Sequence, residues 1–366
     1  MMEITRPTLV VDKEICLQNI ERMAVKVSQN KMRFRPHFKT HQSAQIGNWF
    51  RLHGVEAITV SSVRMAEYFA SHGWNDITIA FSLNLLEMEA INRLTESIHL
   101  NVLVENREAA NLLAKKVTSK TGVFLKIDTG YHRTGIPPTQ TGLIDAILDD
   151  LSKNKKLIFK GFLVHTGHTY NAQSTHEIFN FHFDALLKTK ALRNRYQKEY
   201  PQLEISLGDT PSASICGNFN GVDELRPGNF VFYDLMQHHL GVCKLDDIAV
   251  RMICPVVAKH TSRNEVVIYG GAVHFSKEFI PNTDGKPLYG RVFLRKNGEK
   301  VLLDTKNYLA KLSQEHGIIR VMQNQLKEIQ VGDLVEILPV HSCLTANLMG
   351  QLVTKEGELI KMMPKY

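Results

Sequence analysis

Arg33-Phe34-Arg35-Pro36-His37-Phe38-Lys39 alternates cationic with apolar residues at a period of two, the repeat of an extended strand. Arg33, Arg35, His37 and Lys39 share one face, and Phe34, Pro36 and Phe38 the other. Short apolar runs recur downstream: Ala57-Ile58-Thr59-Val60, Asp76-Ile77-Thr78-Ile79, Leu100-Asn101-Val102-Leu103-Val104 and Val123-Phe124-Leu125-Lys126-Ile127. Others follow at 158–164, 203–207 and Glu224-Leu225-Arg226. Helical periodicity fills most of the gaps, over 42–53, 63–71, 107–116 and 178–199. About eight strand–helix units is the number at which a parallel sheet closes into a barrel. An open doubly wound sheet competes, but no GxGxxG follows the first strand, which weakens its dinucleotide-binding form. In a closed barrel the apolar face of 33–39 turns toward the helices and sends the cationic row inward to the mouth. Charge there requires an anionic ligand or carboxylate partners.

After about residue 240 strand-like runs follow one another without helices, at 248–257, 265–269, 291–294, 334–339 and 352–354. Gly270-Gly271, Asp284-Gly285 and Asn297-Gly298 read as turns between them. The expected fold is therefore α/β: a TIM-type (β/α)8 barrel over 1–240, then a mostly antiparallel β domain over 241–366. A first strand near 8–12 is a candidate to join the β domain.

The 366 residues are 43% hydrophobic and 22% charged, enough to bury a core without disulfides. The net charge of +7 is spread thinly, and its densest stretch, 188–198, reads as one solvated helix face. No basic cluster is interleaved with aromatics, which argues against nucleic acid as a partner. The five cysteines are scattered and form no CxxC, a pattern suited to a reducing cytoplasm. The N-terminal residues lack an apolar signal core and no run approaches a membrane span, so the expected location is cytoplasmic, with no membrane partner.

Several strand ends carry chemistry. Lys39, crowded by cations at low dielectric, is an amine with a lowered pKa able to condense with a carbonyl; a strand-end lysine meeting solvent is the alternative. Ser206-Leu207-Gly208-Asp209-Thr210-Pro211-Ser212 follows the seventh strand, with Thr210 reading as a helix N-cap before a proline in the first helical position. Backbone N–H groups at such a terminus bind phosphate, and Arg226-Pro227-Gly228-Asn229 follows the eighth strand, where barrels complete a phosphate site. Asp128-Thr129-Gly130-Tyr131-His132-Arg133-Thr134-Gly135 ends the fifth strand. It is either a turn in which Asp128 pairs with Arg133 or a fixed guanidinium for a phenolate-type oxygen. His165-Thr166-Gly167-His168-Thr169-Tyr170 offers two imidazoles and a phenol. In Pro339-Val340-His341-Ser342-Cys343, at a strand end, His341 and Cys343 fall on one face as a zinc-type pair with open positions. A buried cysteine beside an unrelated histidine is the other reading.

These motifs, in this order, resemble the D-serine dehydratase and D-threonine aldolase family, relatives of the alanine racemases among barrel-type (fold-type III) pyridoxal-phosphate enzymes. The similarity runs from Arg6-Pro7-Thr8-Leu9-Val10-Val11-Asp12 to His341-Ser342-Cys343. Its most specific pieces are Arg35-Pro36-His37-Phe38-Lys39-Thr40-His41, residues 128–135, and His341 with Cys343. The resemblance implies that Lys39 is the Schiff-base lysine, that Arg133 faces the cofactor's phenolic oxygen and that Tyr170 lies near its ring. It implies that Thr210, Gly228 and Asn229 cradle the phosphate. It also implies that His341 and Cys343 hold a divalent metal, with zinc ahead of manganese or magnesium, and that the protein is a homodimer. Arg226 matches the position at which alanine racemases set an arginine against the pyridine nitrogen.

The implied activity is that of a pyridoxal-phosphate- and metal-dependent lyase on small D-3-hydroxy amino acids, with Lys39 as the base at Cα. A metal that turns the β-hydroxyl into a leaving group gives elimination to a 2-oxo acid and ammonia. A metal that lowers the hydroxyl's pKa, with His165 or His168 taking the proton, gives retro-aldol cleavage to glycine and an aldehyde. A cysteine as second ligand resembles the dehydratases, which favours elimination. The alternatives are an amino-acid racemase without a functional metal and a non-catalytic cofactor carrier; carriers of that type are barrels alone, so the β domain counts against the last.

Overall fold

The computed structural model describes residues 3–296, 299–302 and 306–365, and the chain divides into two compact units. One comprises Ile20–Lys39 and Gly47–Gly228; the other comprises Met1–Asn19, Thr40–Ile46 and Asn229–Tyr366.

In the first unit eight strands form one parallel sheet: Arg33–Phe34, Ala57–Val60, Asp76–Ser82, His99–Val104, Thr121–Ile127, Leu157–Val164, Glu204–Leu207 and Glu224–Leu225. From Ala57–Val60 onward each pairs with the next along the chain, and the last pairs with the first. A bridge between His37 and Thr59 closes the ring into the expected barrel. Regular pairing of the first strand stops at Phe34, short of the run to Lys39 that the alternation predicts. Pro36 has no N–H to contribute to a ladder. The segment stays extended because every other N–H still finds a carbonyl: Arg35 N–H donates to Leu225 O at 3.0 Å and His37 N–H to Pro227 O at 2.8 Å. Phe38 then locks the approach to Lys39. It is fully buried, with the rings of Phe50, Phe69 and Trp74 each centred 5.0 Å away. Burial of a side chain of that size contributes about 2–3 kcal/mol.

Helices follow most strands where a side chain can take the first orphan N–H. Ser62 accepts from Met65 N–H to start Val63–Ala70, Asn106 from Ala109 N–H to start Arg107–Lys116, and Ser174 from Glu177 N–H to start Thr175–Tyr196. Leu103, Phe124 and Leu163 pack together in the core.

The second unit is mostly antiparallel. Its strands run in the order Glu265–Tyr269, His316–Arg320, Tyr308–Leu312, Gly290–Lys296, Leu334–Pro339 and Val250–His260, and the last pairs back to the first. Thr8–Val11 lies against Val250–His260 in antiparallel register and against Gln351–Thr354 in parallel register. Asp284-Gly285 makes the expected turn between Ile280–Pro281 and Pro287–Leu288. Gly270-Gly271 opens instead into the helical turn Ala272–Phe275, because Gly271 O takes the N–H groups of His274 and Phe275. Asn297-Gly298 lies outside the described residues. Among the described residues no helix is long and apolar enough to cross a membrane, and the five cysteines are unbridged.

Candidate active site

The barrel interior holds its ionic groups in two sets. At the strand starts, Arg35 is 2% exposed and donates through Nε to Glu224 Oε2 at 2.6 Å and through Nη1 to Asp76 Oδ1 at 2.6 Å. Arg33 reaches the same Glu224 oxygen at 2.6 Å and also pairs with Glu204. Carboxylates thus neutralise the first half of the cationic row. Burial alone would raise the Glu224 carboxyl, but the charges and bonds of Arg35 and Arg33 hold it down to about 2. The network continues upward: Ser206 Oγ donates to Glu224 Oε1 and accepts from Arg226 Nε, both at 2.6 Å. Arg226 also donates to Val164 O at 2.7 Å, and burial brings its guanidinium down to about 10.

At the strand ends the balance reverses. Lys126, buried in the fifth strand, donates to its neighbour Ile127 O at 3.3 Å. Burial, then the charges of Arg226 and Arg133, lower its ammonium from 10.5 to about 7, with Asp128 and Glu105 opposing. His165 lies in the fields of Lys126, Lys39 and Arg133; burial and those cations hold its imidazole well below the usual value. Its Nδ1 meets Gly208 O at 2.5 Å, so Nδ1 carries the hydrogen and Nε2 is left as an acceptor. Lys39 itself is exposed at the end of the first strand segment. The geometry therefore gathers Lys39, Lys126, Arg133 and His165. His168 turns another way: its ring packs on Phe181, 4.4 Å between centroids, within the fields of Asp209 and Asp184.

Arg133 stacks over Tyr131 at 4.9 Å. The expected pairing of Asp128 with Arg133 gives way to a local one. Asp128 Oδ1 accepts the N–H groups of Gly130, Tyr131 and His132, and Oδ2 meets His132 Nδ1 at 2.9 Å. Left-handed backbone at His132 (φ 56°) curls those N–H groups onto the carboxylate and leaves the guanidinium to the ring.

The turn after the seventh strand is capped by Asp209, not by Thr210 as the Thr-Pro pattern suggests. Asp209 is extended and accepts Ser212 N–H at 2.7 Å, placing Thr210 inside the helix Thr210–Ile215. The same carboxylate accepts from Thr166 and Thr169 and fixes the loop that carries Tyr170, whose hydroxyl accepts Thr210 N–H at 3.3 Å. The Thr210 and Ser212 hydroxyls are buried and, among the described residues, have no hydrogen-bond partner. Two such donors in one helical turn fit an anionic oxygen cluster of the phosphate kind. Gly208 precedes them: a Cβ there would come within 2.9 Å of Arg226 Cβ and O. Gly228 closes this unit, two residues after Arg226.

In the second unit the strand expected to carry His341 and Cys343 ends at Pro339. His341 is the N-cap of the helix Ser342–Met349, and Cys343 lies in its first turn. A helical turn, rather than strand alternation, brings the imidazole and thiol into hydrogen-bond contact, and both side chains are half-buried. Burial would lower the imidazole, but the bond to Cys343 and the charges of Cys343, Asp234 and Glu278 raise it to about 9. Burial would raise the thiol, but His341 draws it below its usual value. The pair shares one proton, which a divalent cation can replace. Among the described residues no group of three or more His, Cys, Asp or Glu side chains gathers to hold a metal. Asn229 belongs to this cluster: its Nδ2 donates to Asp234 Oδ2 at 2.6 Å and to Ser342 Oγ at 3.0 Å.

Sequence reasoning missed Lys126, Ser212, Asp234 and Thr40. Lys126 carries a signal, a single charge inside an apolar strand; Asp234 and Thr40 depend on distant partners, and Ser212 stands out only once its hydroxyl is seen to be buried.

Residues 11–235 match the family model described as alanine racemase, N-terminal domain, and residues 249–354 match "Putative serine dehydratase domain". A D-serine dehydratase of Dictyostelium discoideum is 27% identical, over 98% of this chain and 95% of its own. A D-threo-3-hydroxyaspartate dehydratase of Delftia sp. (strain HT23) is 26% identical, over 94% of this chain and 92% of its own. The solved structure of the Delftia enzyme superposes with a TM-score of 0.90 at 25% identity, covering 99% and 98% of the two chains.

Proposed function

This chain belongs to the alanine racemase N-terminal domain family, and from that premise we propose that it is a pyridoxal-phosphate-dependent lyase that eliminates the β-hydroxyl of D-3-hydroxy amino acids with help from a divalent metal. The D-amino acid and the dehydratase chemistry are supported by what its relatives act on. Cytoplasmic location and a homodimeric state belong to the same reading.

One observation carries the metal-assisted version: the contact of the His341 imidazole with the Cys343 thiol, an N and S donor set suited to zinc. Racemisation has no use for it. For the cofactor, Lys39 supplies the amine, the Thr210 and Ser212 hydroxyls suit its phosphate, and the Arg133 guanidinium suits its phenolic oxygen. Bound there, pyridoxal phosphate supplies an electron sink for the carbanion at Cα. The metal on His341 and Cys343 supplies a Lewis acid for the leaving hydroxyl.

The remaining chemistry belongs to the protein's own side chains. Lys39 Nζ takes the Cα proton. His165, neutral and with its hydrogen fixed on Nδ1 by Gly208 O, offers Nε2 as a proton acceptor beside it. The Arg226 guanidinium, tied to Ser206 and Val164, is the group that would face the cofactor's pyridine nitrogen.

Protein loaded with cofactor and zinc is expected to release 2-oxo acid and ammonia from D-serine or D-threo-3-hydroxyaspartate. Glycine and aldehyde would move the reading to retro-aldol cleavage, and the L-enantiomer alone would end it. His341→Ala should lower lyase turnover by roughly 100-fold or more, whereas a racemase would keep its rate.

A further inference from the structure

Cys343 meets two further donors besides His341. The Thr40 hydroxyl lies 3.3 Å from Cys343 Sγ, and Asn229 Nδ2 lies 3.5 Å from it. Thr40 is fully buried and Asn229 is 5% exposed, so water does not compete for either contact. Asn229 is held in turn. Its Nδ2 also donates to Asp234 Oδ2 and Ser342 Oγ. Asp234 is the hub: 1% exposed, it also accepts Ser342 N–H at 3.0 Å and the Ser342 hydroxyl at 3.2 Å, and it caps the helix Leu235–His239 through Gln237 N–H. These bonds fix the helical turn on which Cys343 sits before any ligand arrives.

We infer that Thr40 and Asn229 are positioning residues for the metal centre, with the Thr40 hydroxyl as the principal donor to the Cys343 sulfur. The inference rests on the metal reading given above. A thiolate bound to a cation carries no proton and can only accept, so the hydroxyl at 3.3 Å must then donate. Thr40 and Asn229 thus both lie within hydrogen-bond reach of the sulfur that would bind the cation. Donation to a ligating sulfur also holds it in the orientation a cation needs and lowers the energy of its lone pairs, so the hydroxyl supports binding and tunes the sulfur's electrons. Thr40 directly follows Lys39 in the chain, inside the Lys39-Thr40-His41 motif. The motif thus contributes one residue to each chemistry: the amine that takes the cofactor and the hydroxyl that steadies the metal's sulfur ligand.

The test compares the full-length protein with Thr40→Val, which keeps the shape and loses the hydroxyl, and Thr40→Ser, which keeps the hydroxyl. Zinc affinity is read by chelator competition, and the sulfur–metal bond by the thiolate-to-cobalt charge-transfer absorption after cobalt loading. Thr40→Val should bind zinc about 10-fold more weakly and move the cobalt band to longer wavelength, because an undonated sulfur gives up its electron more easily. Thr40→Ser should restore both. If Thr40→Val does not fold, Thr40→Ala carries the same expectation with a smaller side chain. A wild-type band and affinity in the hydroxyl-free variant would overturn this inference alone. A wild-type protein that binds neither zinc nor cobalt would overturn the metal reading and this inference with it.

Discussion

The two ends of the barrel interior are built from the same residue types and behave oppositely. At the strand starts Arg33 and Arg35 meet Glu204, Glu224 and Asp76, and every charge has a partner within bonding distance. At the strand ends Lys126, Arg133 and His165 crowd together near Lys39, and the protein depresses the basicity of Lys126 and His165 instead of matching those two with buried carboxylates. A compensated cluster is scaffold; an undercompensated one stores free energy that a ligand can release. Pairing, not composition, separates them.

Glu224→Gln tests the compensated end hardest. It removes the buried carboxylate that Arg33 and Arg35 share and leaves Arg35 with Asp76 alone. The loss should be about 3–5 kcal/mol of unfolding free energy, read by urea denaturation, and a loss below about 1 kcal/mol would erase the distinction between the two ends. The Glu224 carboxyl lies below its unfolded value, at about 2 against 4.5. Its contribution is therefore complete above pH 4.5 and drains away between 4.5 and 2. Lys126→Met acts at the other end with the opposite sign, raising stability at pH 7 by about 1–4 kcal/mol. Here the folded value, about 7, lies below 10.5, so the unfolded chain binds the extra proton across that window and wild-type stability climbs with pH. The variant's advantage should shrink from pH 7 toward 10; an advantage independent of pH would show that packing, not charge, is responsible. Arg33→Gln is the smallest and sharpest case. It removes a partner from the same Glu224, but from a side chain 39% exposed. The expected cost is about 0.2–1 kcal/mol, and a cost equal to that of Glu224→Gln would mean that burial does not set the energetics.

The barrel was legible because most of its strands are buried and leave apolar runs, and beyond the first strand their boundaries hold to within three residues. The first strand was harder: alternation identified which residues of 33–39 share a face, while the early end of regular pairing follows from the missing N–H of Pro36. For His341 and Cys343 the sequence spacing led to contact by the wrong route, since both strand alternation and the first turn of a helix can bring residues two apart together. The Asp209 cap was hidden behind the stronger Thr-Pro pattern. The contacts of Asp234 with Ser342 and of Thr40 with Cys343 cross more than a hundred residues of sequence, and nothing local announces them.

Thr8–Val11 is made well before its neighbours, which are Val250–Ile253 on one side and Val353–Thr354 on the other. At about 5–20 residues per second, Val10 waits on the order of 20–70 s for Val353 to be polymerised. Leu9 and Val11, both buried in the finished sheet, must be shielded for that interval. The barrel strands are all translated within the wait, so the nascent chain can complete one unit while the other still lacks its closing partner. A cell that slows elongation lengthens the period in which this edge is open to chaperones, or to other chains like itself.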